Sequence, residues 1–370
     1  GHQPMISSSG RWVLAYNGEI YNHLQLRRQL EQTGDSPEWR GHSDTETLLA
    51  CIEAWNVENA LESSVGMFSF ALWDRQERRL TLARDRMGEK PLYYGRQKGD
   101  FLFGSELSAL RAHPSFNAVI NRDALALLLR HNCIPAPYSI YEGIYKLPPG
   151  HYLNLSFDRH TEQAIPSPTP YWHMNDVVEK GLANPFTGSE SEATDLLENQ
   201  LSQSTRSQLL ADVPLGAFLS GGIDSSTIVA LMQSQSDLPV KTFTIGFHDD
   251  SFDEAKHARD VAKHLGTDHT ELYLQAQDAL DVIPSLPSMF SEPFADSSQN
   301  PTYLISILAS QHVTVALSGD GGDDLFGGYN RYLSARNIWE KMHSLPAVAR
   351  SGAAARLRAV PPVGWDKTIV

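Results

Sequence analysis

The chain is poor in cysteine, in clustered positive charge and in long apolar runs, and each shortage narrows what it can be. Its 370 residues include two cysteines, Cys51 and Cys133, without metal-ligand spacing. That count rules out a disulfide scaffold and fits a reducing, cytosolic setting. Asp and Glu (44) outnumber Lys and Arg (30), the net charge is −14, and there is no basic run. Nucleic acid and anionic membrane are therefore unfavoured as partners. No stretch approaches the apolar length of a membrane span, and no signal peptide is visible. The loop of the common nucleotide hydrolases, G-x-x-x-x-G-K followed by Ser or Thr, does not occur. The chain also lacks an initial Met; residues 1–5, GHQPM, read like the middle of a protein or a cloning scar.

What is present is an ordinary globular composition, 41% hydrophobic and 20% charged, long enough for two domains. The organising stretch is 215–226, LGAFLSGGIDSS. It begins as a short apolar strand and breaks at Ser220-Gly221-Gly222. Asp224-Ser225-Ser226 then lead into the helical period of Ile228, Val229, Leu231 and Met232. A strand, a glycine turn and a helix N-terminus make an anion site, because the first helical amides lack internal partners. Asp224 would repel a phosphate unless a divalent cation lies between them. The six-residue pattern SGGxDS resembles that of the ATP pyrophosphatases, which cut ATP between the α- and β-phosphates and leave a substrate as an acyl-adenylate. On that resemblance Leu219, Ser220, Gly221, Gly222, Asp224 and Ser225 bind ATP. The simpler alternative is a Gly-Ser turn before an ordinary helix.

Before this unit the chain is strand-rich, an α+β pattern. A strand is expected at 11–16, running into Asn17-Gly18-Glu19, where Asn-Gly ordinarily marks a turn. A helix is expected at 23–33 with Gly34 as its stop. Ser43 to Glu46 reads as a capping box for a helix burying Leu48, Leu49, Ile52 and Trp55. Cys51 within it is most simply a core residue. Strands follow at 67–73, 79–84, 91–94, 101–104 and 151–155, with short helices at 106–111 and 122–131. Residues 156–190 are rich in Pro, Ser, Thr and Gly and read as a linker.

NGEIYNH, HSDTE, GMFSFALWD, RDRMGEKPLYYG, SELSAL and LPPGHY, in that order, resemble the glutamine amidotransferase domain of asparagine synthetase and its relatives. SGGIDSS belongs to the same family's second domain, so the resemblance covers nearly the whole chain. It implies an N-terminal-nucleophile-type domain of antiparallel sheets and helices over 1–155. A linker over 156–190 leads to an ATP-dependent synthetase domain over 191–370. It implies an oxyanion hole from the Asn17 side chain and the Gly18 N–H. Glu19 and Asp44 then match the acids that hold the glutamine amino group. The family's nucleophile, a Cys at the mature N-terminus, and its carboxylate-clamping Arg have no counterpart, so an N-terminally truncated sequence is expected.

After 190 the chain alternates: a helix at 192–210, the SGGIDSS unit, a strand at 240–247, a helix at 253–265, a strand at 269–274, helices near 279–283 and 301–310, and a strand at 313–317. This is a parallel, doubly wound α/β sheet, and its ligands lie off the carboxyl ends of the strands. The loop Ser318-Gly319-Asp320-Gly321-Gly322-Asp323-Asp324 ends the last of these. It reads either as a solvated acidic turn or as a metal-phosphate site. The resemblance implies that Ser318 and Gly319 contact the nucleotide and that Ile245 lies near the adenine. It also implies that Asp224 and Asp323 ligate Mg²⁺. Asp320 stands where many relatives have a Glu acting as base on ammonia, a departure that leaves its role open. Residues 292–301 lie between the crevice loops and can line an acceptor pocket. Ser297 there stands where aspartate-using members carry an Arg. Residues 336–370 read as loosely organised helix with Pro breaks, so a C-terminal truncation is expected too.

The function implied is glutamine- and ATP-dependent amide synthesis, most simply aspartate to asparagine, with ATP and Mg²⁺ as cofactors. Amidation of another carboxylate, such as a cell-surface sugar acid, and a degenerate non-catalytic relative are the alternatives. No nucleic-acid or membrane partner is expected, and a homodimer stays open. These 370 residues alone are expected to release no glutamate from glutamine above blank in a coupled glutamate assay, and restoring an upstream segment with a terminal Cys is expected to restore release.

Overall fold

The computed structural model describes residues 2–157, 164–210, 212–247 and 254–358. The strands are β1 (Met5–Ile6), β2 (Trp12–Ile20), β3 (Gly66–Asp74), β4 (Arg79–Arg84), β5 (Tyr93–Gln97), β6 (Asp100–Gly104), β7 (Ile144–Lys146), β8 (His151–Ser156), β9 (Thr169–Pro170), β10 (Leu215–Phe218), β11 (Lys241–Phe247), β12 (Asp268–Leu274) and β13 (Val315–Leu317). They form three sheets, ordered β1-β2-β3-β4-β8-β9, β6-β5-β7 and β12-β11-β10-β13. The first two are antiparallel throughout and the third is parallel throughout.

Alternation decides the layers of the first half. Trp12, Leu14 and Tyr16 of β2, with Phe68, Phe70 and Leu72 of β3, face the helices His23–Thr33, Asp44–Trp55 and Val57–Ser63. The opposite face, with Ala71, Leu80, Leu82, Leu153 and Leu155, packs on Leu92, Tyr94 and Leu147 around the second sheet. That sheet's far side buries Tyr93, Leu102 and Ile144 against the helices Leu107–Arg111 and Arg122–His131. The order is helix, sheet, sheet, helix. Cys51 is wholly buried in the first of these cores, and burial pushes its thiol up to about 12.

The expected elements recur with instructive shifts. The Asn-Gly pair is not a turn: β2 runs straight through it, with Asn17 opposite Ser69 and Gly18 opposite Phe68. Ser43 does cap its helix by accepting the Glu46 N–H. The Glu46 carboxylate, however, takes the N–H groups of Arg40 and Gly41 instead of closing a capping box on Ser43. The stretch expected as a linker contains β9, which pairs with β8. It also contains Tyr171, buried in the first core with its hydroxyl on the Arg84 carbonyl, and a helix, Met174–Ala183. Residues 158–163 and 359–370, including Pro361-Pro362, lie outside the described residues, as do 248–253.

In the second half apolar residues cover both faces of the parallel sheet. Val229, Met232, Ala258 and Ala262 pack on one side, and Leu308, Ala309 and Ile305 on the other. This is the doubly wound arrangement. The strand order reverses between β10 and β13, where such sheets open a crevice.

One buried carboxylate ties the first half together. Asp85, fully buried, accepts N–H groups from Phe68, Met87, Glu89 and Lys90, and its own N–H goes to the Phe68 carbonyl. Beside it, Arg84 donates to the carbonyls of Lys90, Gly88 and Leu147. Asp85→Ala strands several buried donors and is expected to cost about 3 kcal/mol or more, read as a drop in the urea midpoint of the full-length protein; a loss below about 1 kcal/mol would contradict this role.

Candidate active site

Two sites form, one in each half. In the first, Gly18 adopts φ +154, and a Cβ there would lie 2.2 Å from the Met67 carbonyl. Only glycine allows the strands so close. Both main-chain groups of Phe68, opposite Gly18, bond to Asp85. On the other edge of β2, Tyr16 exchanges bonds with the Gln3 side chain. Because an antiparallel strand alternates edges, the Gly18 N–H points to that same edge, away from β3. Next to it the exposed Asn17 amide donates to Ser105 Oγ at 3.4 Å. Two neutral donors thus sit side by side.

Asp44 is held firmly at the first turn of its helix. Its Oδ2 accepts the Tyr16 hydroxyl at 2.8 Å and the Ile20 N–H at 2.9 Å, and its Oδ1 accepts the Thr45 N–H. Glu19 lies within its field. Burial first, and then the Asp44 charge, push the Glu19 carboxyl above its ordinary value, and Asp212 from the second half adds to this. His23 and Lys90 act in the opposite direction and leave the carboxyl raised.

In the second half, β10 leads into Leu219, whose carbonyl accepts the Thr244 hydroxyl and whose N–H bonds the Phe243 carbonyl at 3.0 Å. The turn is then braced by Ser220 and Ser225, with hydroxyls 2.9 Å apart. Gly221 has φ +80, and a Cβ on it would meet Ala258 N at 2.7 Å. Gly222 is the N-cap of the helix Ile223–Ser234, which places Asp224 and Ser225 in its first turn. Ser226 Oγ is buried there and lacks a partner among the described residues.

The Ser318–Asp324 loop does converge on this turn. A Cβ on Gly319 would lie 2.6 Å from Ser225 N, and one on Gly322 would lie 2.5 Å from Asp224 Cγ. Asp320 is exposed and accepts the Ser318 hydroxyl at 3.0 Å. Asp323 is packed against Gly328 instead, with Oδ1 at 1.9 Å from an added Cβ. Ile245 is half-buried on β11 beside the crevice. Among the described residues no three His, Cys, Asp or Glu side chains come close enough to hold an ion by themselves. A Mg²⁺ held by one or two carboxylates and completed by phosphates and water fits the hard oxygens of Asp224 and Asp323.

In the acceptor segment, Ser297 is exposed, and the loop around it is held by Gln299 on the Phe294 and Asp296 carbonyls. Glu292, expected to line the pocket, is turned the other way, toward Lys146 and Ile140 of the first half. Sequence reasoning passed over the roles of Tyr16 and Ser105. Neither role carries a local signal, because each acts on a residue that only the fold brings near.

An antiparallel layered half is thus followed by a parallel-sheet half with a crevice at its strand-order reversal. Residues 1–172 match the family described as glutamine amidotransferase domain, and residues 196–363 the one described as asparagine synthase. The chain is 34% identical over 346 residues to a putative glutamine-hydrolyzing asparagine synthetase 2 of Methanocaldococcus jannaschii, covering 91% of this chain and 62% of that protein. It is 32% identical to the glutamine-hydrolyzing asparagine synthetase 1 of Bacillus subtilis, with 90% of this chain and 50% of that protein covered. It is 30% identical to a Gibberella zeae protein named amidase chry2, at 94% and 52% coverage. The chain belongs to the glutamine-hydrolysing asparagine synthetase family, and it spans between half and two thirds of the length of these relatives.

Glu19 has a stability consequence with a definite sign. Its folded pKa is raised above the ordinary 4.5. The stabilisation of its neutral form is therefore fully present below about 4.5 and is lost as pH rises through the folded value. Glu19→Gln is expected to raise the melting temperature relative to wild type more at about pH 7 than at about pH 4; an equal change at both pH values would count against a strained Glu19.

Proposed function

We propose that the full-length protein uses glutamine and ATP to amidate a carboxylic acid, with aspartate as the first candidate. In the first domain, which we read as an N-terminal-nucleophile amidohydrolase, Asn17 Nδ2 and the Gly18 N–H stabilise the oxyanion of the glutamine amide. Glu19 and Asp44 bind its ammonium group.

In the second domain, read as an ATP pyrophosphatase, the crevice loops bind the nucleotide. Leu219, Ser220, Gly221, Gly222 and Ser225 present main-chain and hydroxyl donors to phosphate at a helix N-terminus. Ser318 and Gly319 close the other side, and Ile245 lies toward the base. Asp224 and Asp323 would hold Mg²⁺, which would offset phosphate charge. The acceptor carboxylate attacks the α-phosphorus, giving acyl-AMP and pyrophosphate. Ammonia then displaces AMP, and Asp320 is the candidate acceptor for its proton. The observation that carries this reading is the seating of Gly319 and Gly322 on Asp224 and Ser225 at the strand-order reversal. A merely solvated turn has no need of two glycines at such contact.

Ser297 offers no cation for an α-carboxylate, which favours a second reading in which another carboxylic acid, such as a sugar acid, is amidated.

ATP–pyrophosphate exchange by the full-length protein across a panel of carboxylic acids tests both readings, aspartate among them. Exchange with none of them would overturn the function. Asp224→Ala is expected to abolish exchange while leaving glutamate release within about twofold, and Asn17→Ala to cut glutamate release by about 10²-fold or more while sparing exchange.

A further inference from the structure

The acceptor segment is fastened to the opposite domain. Glu292 Oε1 accepts the Ile140 N–H at 2.7 Å, and its Oε2 is paired with Lys146 Nζ. Lys146 also donates to the Ile134 carbonyl at 2.6 Å. Three residues further on, Ala295 N–H bonds the Asn132 carbonyl at 2.7 Å. On the near side, Ser291 Oγ accepts the Leu107 N–H at 3.1 Å. Leu107 opens the helix Leu107–Arg111, whose own N-cap, Glu106, makes no side-chain cap bond. A residue of the synthetase domain therefore supplies the acceptor for that helix end.

The Glu292 and Lys146 side chains are only 8% and 17% exposed. A pair so desolvated gains little net stability over an apolar one, and its best-attested use is to specify a register. Here both carboxylate oxygens are committed to the other domain. Ser291, next to Glu292, ends on Leu107, and Ser105, two residues before Leu107, touches Asn17. From Asn17 to the exposed stretch Asp296–Ser298 the connection is one hydrogen bond, a three-residue loop, a second hydrogen bond and a short run of chain.

We propose that Ser291 and Glu292 are positioning residues: they seat the acceptor segment on the glutaminase domain, and through the loop of Ser105, Glu106 and Leu107 this seating sets the Asn17 amide. This rests on the function proposed above. Seating of this segment then orients the oxyanion donor, so that glutamine is spent in step with the synthetase half. Neither residue touches a reacting atom.

The test uses the full-length protein and its variants Glu292→Gln and Ser291→Ala. Pyrophosphate formation is measured with ammonium and with glutamine as nitrogen source, together with glutamate released per pyrophosphate. Amide exchange is followed at Leu107, Ile140 and Ala295. Both variants are expected to keep ammonium-driven pyrophosphate formation within about twofold while raising the glutamate-to-pyrophosphate ratio by about threefold or more. Exchange is expected to quicken at Ile140 in Glu292→Gln and at Leu107 in Ser291→Ala. A purely structural contact would lower ammonium- and glutamine-driven rates together with the ratio unchanged, and that result in Ser291→Ala, the milder change, overturns the coupling. Unchanged exchange at Leu107 and Ile140 overturns the seating itself. A wild-type protein that forms no pyrophosphate with any acceptor overturns the functional reading, independently of the exchange result.

Discussion

The first domain depends on how closely β2 can approach β3. Gly18 lies where any Cβ would run into the Met67 carbonyl and the Phe68 backbone, so the strands meet only because that residue is glycine. What keeps Phe68 there is Asp85, which takes the Phe68 N–H on its carboxylate and gives its own N–H to the Phe68 carbonyl. A buried carboxylate of this kind is tolerated because main-chain donors replace its water. Its consequence is directional. With Phe68 occupied by Asp85, the Gly18 N–H points off the other edge of β2, beside the Asn17 amide. A motif that looks like a hairpin turn is instead a pair of donors on a straight strand.

The second site uses the same economy of space in a different architecture. Gly319 and Gly322 admit their loop onto the first turn of the helix that begins at Ile223, and Gly221 admits the turn onto the helix containing Ala258. The serines then bind one another and the turn. Parallel strand order supplies the opening between β10 and β13, and the glycines shape it. The two halves meet at residues 291–295, where the second half sends a carboxylate, a hydroxyl and a main-chain N–H into the first.

Most of the fold was legible in the sequence because it rests on short-range physics. The alternation of GMFSFALW, the helical period after His23, the Gly34 and Gly266 stops in the left-handed region and the strand-turn-helix of LGAFLSGGIDSS are each encoded within a few residues. So are the residue types of the two sites: acids beside Asn-Gly, and serines and glycines before a helix. These determine that the chain holds an antiparallel half and a parallel half, and which residues are available for chemistry. The tertiary structure decided what no window of sequence contains. It decided that Asn17-Gly18 extends and does not turn, because Asp85, sixty-odd residues away, claims Phe68. It decided that the Glu46 carboxylate serves Arg40 and Gly41, not its own cap, and that Thr169–Pro170 and Tyr171 complete the first domain's sheet and core. It turned Glu292 away from the crevice and onto Lys146. In the hydrogen-bonded cases, the partner is one that keeps the group's bonds once water is excluded.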